Sequence, residues 1–219
     1  MQFERVTVPA VDPAETCEWY RSRFVPETEH AGDRSAVRLG ETDLEFTAAA
    51  TTPPMHLAVR LLLDGEEAVG WLSERATILP VDGEPSRWFE FLNATAIYFD
   101  DPEGNVLEGL CYGSDRRRST DSGPVGGITE VGLPARDPLA LVEWLEGTVG
   151  LSAWGSPSET FAWVGDRHAR FVVIPTGREW YPTRRAADLA PMSVTVAAET
   201  AHPGRHIHPR LPYEIVVAD

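Results

Sequence analysis

The sequence predicts an α+β chain assembled from repeated strand–helix–strand–strand modules, and three observations predict it. Residues 8–19, Val-Pro-Ala-Val-Asp-Pro-Ala-Glu-Thr-Cys-Glu-Trp, return as residues 133–144, Leu-Pro-Ala-Arg-Asp-Pro-Leu-Ala-Leu-Val-Glu-Trp. A fainter copy links Pro54-Met55-His56-Leu57-Ala58-Val59 with Pro191-Met192-Ser193-Val194-Thr195-Val196. Residues 96–110 place two apolar strands around Asp101-Pro102-Glu103-Gly104-Asn105. In that turn Pro102 presets the first central angle, and Gly104 or Asn105 takes the positive φ that closes a hairpin. Recurrence of a supersecondary unit implies stacked or paired modules.

Taken in order, the first module spans 1–50, with a strand at 3–9, a helix at 13–24 and strands at 35–39 and 43–48. Asp12 is placed to cap the helix, and Pro13 sits at its first position, where a missing N–H costs nothing. The second module, 55–112, reads as a strand at 56–62, a helix at 65–75 and strands at 94–99 and 105–110. Residues 113–127 have the composition of a linker, dividing the chain into halves 1–112 and 128–219. The third module, 128–177, repeats the helix start at Asp137-Pro138 and includes a strand at 169–174. The fourth, 192–219, is short, and Pro203 and Gly204 leave no room for its helix. The second half therefore reads as a degenerate copy of the first.

Composition narrows the function classes. The net charge is −15, and all 19 basic residues are arginine. That balance suits a salt-adapted, high-GC cytoplasm, with codon bias as the plainer source of the missing lysine. An acidic chain repels phosphate, so nucleic acid is an unsuitable partner. Cys17 and Cys111 have neither disulfide nor metal-knuckle spacing, which points to a reducing cytoplasm. No stretch approaches membrane-span length.

The run Tyr98-Phe99-Asp100-Asp101-Pro102-Glu103-Gly104-Asn105-Val106-Leu107-Glu108, standing after a strand–helix unit, resembles the final hairpin of the vicinal-oxygen-chelate superfamily. That superfamily includes glyoxalase I, fosfomycin-resistance and bleomycin-binding proteins and extradiol ring-cleaving dioxygenases. The resemblance implies βαβββ modules that pair, first with second and third with fourth, into curved mixed sheets. It also implies a divalent metal (Fe, Mn, Ni or Zn), a small-molecule substrate with adjacent oxygens, and a possible homodimer.

Carried over residue by residue, the family's four metal positions fall on Arg5, Glu45, His56 and Glu108, with Glu108 also the catalytic group. His56, Glu45 and Glu108 form a plausible facial set that leaves positions open for a bidentate substrate. Such a metal would stabilise an enediolate or similar anion. Arg5 departs from the pattern, because a guanidinium has no lone pair to donate. Either it binds an anionic substrate beside the metal, or it pairs with Glu45 and Glu108 and closes the site.

Tyr98, Asn93 and Arg87 are expected substrate contacts by position. The counterparts of Arg5, His56 and Glu108 in the second half are Glu130, Ser193 and Glu214. With no histidine among them, no metal is expected there, and Glu214 has Arg170 or Arg210 within reach. His206 and His208 are read as surface or packing residues, Arg116-Arg117-Arg118 as a solvated run. Residues 177–183 fold over a pocket or cover a sheet edge. Two function classes follow: a metal-dependent lyase, isomerase, dioxygenase or thiol transferase, and a metal-free small-molecule binder of the antibiotic-sequestering kind.

Overall fold

The computed structural model describes residues 1–25, 35–113 and 123–218. The first module comprises β1 (Gln2–Ala10), α1 (Pro13–Phe24), β2 (Ala36–Leu39) and β3 (Thr42–Ala48). The second adds β4 (His56–Leu61), α2 (Gly65–Ser73), β5 (Ile78–Leu79), β6 (Arg87–Phe89), β7 (Ala94–Asp100) and β8 (Val106–Tyr112). The third holds β9 (Val125–Ala135), α3 (Pro138–Trp144) running into a π-helical turn (Leu145–Val149), β10 (Ala162–Gly165) and β11 (Arg170–Pro175). The fourth has β12 (Met192–Ala197), β13 (Gly204–Ile207) and β14 (Tyr213–Val217) with no helix between them.

The repeated Asp-Pro pair starts a helix each time, for one physical reason. The Asp12 side chain accepts the N–H groups of Ala14 and Glu15, and Asp137 accepts that of Ala140, so otherwise unpaired helix donors are satisfied. α2 starts instead on a capping box between Asp64 and Glu67. Among the described residues no helix is long and apolar enough to cross a membrane.

The strands form two mixed sheets, ordered β13-β14-β12-β1-β3-β2 and β10-β11-β9-β4-β8-β7-β5, with β6 also paired to β7. Paired modules in curved mixed sheets are thus present, but their partners differ from expectation. β1 lies antiparallel to β12, and β4 antiparallel to β9. The first module joins the fourth and the second joins the third, so the pairing is nested rather than tandem, and no sheet boundary falls at 113–127. Alternation fixes which face of a first strand is buried, whereas all four first strands offer similar edges to a neighbour. Most of the expected linker, 114–122, including Arg116-Arg117-Arg118, lies outside the described residues.

One core joins both sheets to the helices. Phe3, Val6 and Leu44 from the first sheet share it with Leu57, Val131, Leu133 and Phe171 from the second, and the Phe3 and Phe171 rings are 5.1 Å apart. Burying each such side chain contributes roughly 1.5–3 kcal/mol. The Thr42 hydroxyl adds a polar link between the sheets: it donates to the Phe3 carbonyl at 2.8 Å and accepts the Ile128 N–H at 3.0 Å. Because side chains alternate across a strand, the opposite face of the second sheet carries His56, Ala58, Glu108, Glu130 and Val172. That face lines a separate, covered cup.

Candidate metal centre

The turn at 101–105 does more than reverse the chain. Gly104 takes φ 77°. Asn105 donates its amide to Asp101 Oδ2 at 2.8 Å, and its own Oδ1 accepts the Met55 N–H at 2.8 Å. The Val106 N–H donates to the Met55 carbonyl at 2.8 Å. These bonds fix the start of β4 against β8, so the motif sets the place of His56 as well as that of Glu108.

In parallel register Ala58 lies beside Glu108, and in antiparallel register Ala58 faces Glu130. Three buried side chains therefore converge from β4, β8 and β9. His56 Nε2 is 3.5 Å from Glu108 Oε2 and 3.6 Å from Glu130 Oε2. The three candidate ligand atoms all lie within 4.8 Å of one another.

Each of the three has its remaining polar atom engaged. His56 Nδ1 is 3.0 Å from the Val106 carbonyl, which can only accept, so Nδ1 carries the hydrogen. Tyr98 donates its hydroxyl to Glu108 Oε1 at 2.9 Å. Arg170 donates to Glu130 Oε1. One imidazole nitrogen and two carboxylate oxygens are left facing each other.

Burial opposes charge on His56, but hydrogen bonds and charges from Glu108 and Glu130 overcome it and hold its pKa up at about 9. Burial also pushes Glu108 above the usual carboxylate range, with the Glu130 charge adding to it against the bonds from His56 and Tyr98. This cluster therefore calls for a cation at its centre: a proton on His56, or a divalent ion bound by the same three atoms. The donor set fits a divalent ion, being one borderline nitrogen and two hard oxygens. The supporting bonds are of the kind that orient metal ligands.

Above the trio sits a cavity of about 290 Å³ with walls that include Phe91, Trp163, Val172, Ile174 and Trp180. Trp180 stacks on His56 at 5.4 Å between ring centroids, and its indole N–H donates to the Pro54 carbonyl at 2.9 Å. Gly132 makes room for it, since a Cβ there would meet Trp180 Cη2 at 2.5 Å. The segment carrying Trp180 is tied down where Arg185 pairs with Asp100 and donates to the Gly104 carbonyl at 3.1 Å. Residues 177–183 thus cover the pocket.

The expected site divides. His56, Glu108 and Tyr98 come together, and Tyr98 lines the cavity. Glu45 and Arg5 do not join them, because β1 and β3 belong to the other sheet. There Arg5 Nε pairs with Glu45 Oε1 at 2.9 Å, and Thr7 donates to Glu45 at 3.1 Å. Asn93 instead shapes a turn at φ 50°, its carbonyl accepting the Gly113 N–H at 2.9 Å. Arg87 is exposed and pairs with Asp82 at 3.1 Å. His208 packs against Trp144 and accepts the N–H groups of Arg210 and Leu211, a structural part.

The candidate ligand that sequence reasoning set aside is Glu130, in the half where no metal was expected. Its signal lay in the repeat: Glu130 precedes Pro134 as Arg5 precedes Pro9, so it is the first-strand position of its own module. Glu214, taken as the counterpart of Glu108, lies beside Ser193, as Val106 lies beside His56. The true counterpart of Glu108 is Val216, and Glu214 pairs with Arg205 at 2.6 Å.

No family model matches the sequence, and no curated protein matches it significantly. Solved structures do match. A "putative dioxygenase" from Bacillus subtilis subsp. subtilis str. 168 is 15% identical, with 99% of this chain and 85% of that one covered and a TM-score of 0.57. Glyoxalase I from Zea mays is 13% identical over 100% of this chain and 92% of its own, at a TM-score of 0.50. The V278E mutant of that glyoxalase gives 14% identity, 88% and 74% coverage, and a TM-score of 0.50. At these identities the likeness is one of fold.

Proposed function

We propose that this chain, which has the vicinal-oxygen-chelate fold, is an enzyme holding a divalent metal on His56, Glu108 and Glu130 and acting on a small apolar molecule with adjacent oxygens. The observation that carries the reading is the convergence of three lone-pair donors, each oriented by a further hydrogen bond, at the floor of a covered apolar cavity. A metal there would polarise two neighbouring substrate oxygens, chemistry common to lyases, isomerases and ring-cleaving dioxygenases. Glu108 lines the cavity and is the group placed to exchange a proton with a bound substrate. Tyr98 holds that carboxylate in place. Trp180 and the aromatic walls exclude water, which strengthens every charge interaction inside.

One observation favours a second reading, a metal-free binding protein. With His56 protonated, it and Arg170 balance Glu108 and Glu130, so the floor is neutral without a metal. The test is elemental analysis of tag-free protein purified without chelator, with His56→Ala, Glu130→Ala and Glu45→Ala alongside. Near-stoichiometric metal in the wild type and in Glu45→Ala, lost in the other two, is the expected result. Absence of metal from the wild type, even after reconstitution, leaves the binding reading.

A further inference from the structure

Beneath the cup lies a buried cation that the metal reading does not use. Arg170 is fully buried, on the strand beside Glu130 and in register with it. Its guanidinium donates to Glu130 Oε1 and, at 3.3 Å, to the Tyr112 hydroxyl. Its carbon lies 5.1 Å from the ring centroids of both Trp154 and Trp163. Its Nε–H has no acceptor among the described residues. A buried ion pair of this kind adds little net stability, since desolvation consumes most of the attraction.

What Arg170 changes is the charge of the floor. In the second sheet's own symmetry, the position matching Glu108 is occupied by Val172, beside Gly132, so no third carboxylate enters the cup from β11. Two carboxylates neutralise a divalent ion, and the buried guanidinium then leaves the centre with one positive charge. The cavity's two other charged side chains, Arg178 and Glu179, are of opposite sign, and its walls are otherwise mostly apolar, so that charge is poorly screened. We infer that Arg170 acts through Glu130 as a positioning and charge-setting residue, so that the loaded site takes its ligand as a monoanion, through a deprotonated hydroxyl or a carboxylate on an apolar body. This inference rests on the metal reading above.

The test uses cobalt(II)-loaded protein, whose visible spectrum reports ligand binding without any turnover, titrated with azide as a monoanionic probe at one pH. Four proteins are compared: wild type, Arg170→Lys, Arg170→Gln and Arg170→Met, all of which keep His56, Glu108 and Glu130 to hold the metal. Affinity for azide should follow net charge, weakening about tenfold or more in Arg170→Gln and Arg170→Met and staying within about twofold of wild type in Arg170→Lys. Arg170→Gln keeps a donor for Glu130, so it remains informative if Arg170→Met fails to fold. Azide affinity in a neutral variant equal to that of wild type overturns the inference. Absence of a cobalt spectrum in the wild type defeats the metal reading instead, which separates the two failures.

Discussion

In one sheet β1 and β12 lie antiparallel at the centre, flanked in parallel by β3 and β14; in the other β4 and β9 take those places, flanked by β8 and β11. Arg5 and Ser193 stand where Glu130 and His56 stand, Thr7 where Gly132 stands, and Glu45 where Val172 stands. Yet the side chains of Arg5 and Glu45 are 53% and 34% exposed, against 7% and 5% for Glu108 and Glu130. In the open seam each carboxylate is met by an arginine, Glu45 by Arg5 and Glu214 by Arg205. In the covered seam Glu130 likewise meets Arg170, and Glu108 meets Tyr98, but all of these lie buried beneath the tryptophan-bearing segment. Each carboxylate there turns its second oxygen toward a single imidazole. An arginine beside a carboxylate does not separate the two seams; burial, and the second carboxylate oxygens turned toward His56, do.

The largest effects should fall where that contrast is sharpest. His56→Ala or Glu130→Ala should weaken metal binding at least about a hundredfold by competition with a chromophoric chelator, at the upper end of what even supporting residues cost. Glu45→Ala should leave it within about twofold, since its position lies in the other sheet. Equal losses in all three would erase the distinction between the seams.

Next comes the glycine that admits the cover. Gly132→Ala places a methyl against Trp180 and should destabilise the protein by about 1–3 kcal/mol, the usual range for overpacking. Thr7→Ala, its counterpart in the uncovered seam, should cost less, because Thr7 holds only a half-buried carboxylate that Arg5 also pairs. Urea denaturation compares the two, and near-UV circular dichroism should change in Gly132→Ala as the indole leaves His56.

These contrasts also mark what the sequence could tell. α1 was legible to the residue because its start is written locally, in Asp12-Pro13. The 101–105 turn was legible because Pro102 and Gly104 restrict the backbone. His56 and Glu108 followed from the hairpin that binds them together. Glu130 was hidden because its place beside His56 depends on which first strand lies next to β4, a long-range choice that similar alternating strands do not encode. The short β5 and β6 and the π-helical turn after α3 were missed as well, lacking a period of their own to read. Trp180 was visible only as an aromatic cluster, since its place over His56 depends on a glycine in a distant strand.

A smaller effect tests the contact between the two regions. Glu103, from the turn beside the site, accepts the N–H groups of Val11 and Asp12 and the Thr16 hydroxyl at the start of α1, and the Thr52 hydroxyl. Burial alone would raise its pKa, but these donors hold it below the usual carboxylate range. A depressed folded-state pKa means its stabilisation is present above the unfolded value and is lost as pH falls through the folded one. Glu103→Gln should therefore be less stable than wild type near neutrality by about 1 kcal/mol, with the difference shrinking as pH falls below about 4.3. Thermal melts across that range check the sign.

The smallest expected effect concerns the open seam itself. If Arg5 and Glu45 are a solvated pair standing where a ligand could have stood, their coupling must be weak. A double-mutant cycle with Arg5→Ala and Glu45→Ala should give an interaction of about 0.2–1 kcal/mol. Arg5 also approaches Asp43 at 4.0 Å, and Glu45 keeps its bond from Thr7, so neither single variant strands a buried charge. Raising the salt to about 1 M, where screening acts over about 3 Å, should reduce the coupling toward zero. A coupling of several kcal/mol that resists salt would mean the pair is desolvated in solution. The first sheet would then hold a closed charge site of its own, and exposure would no longer separate the two seams.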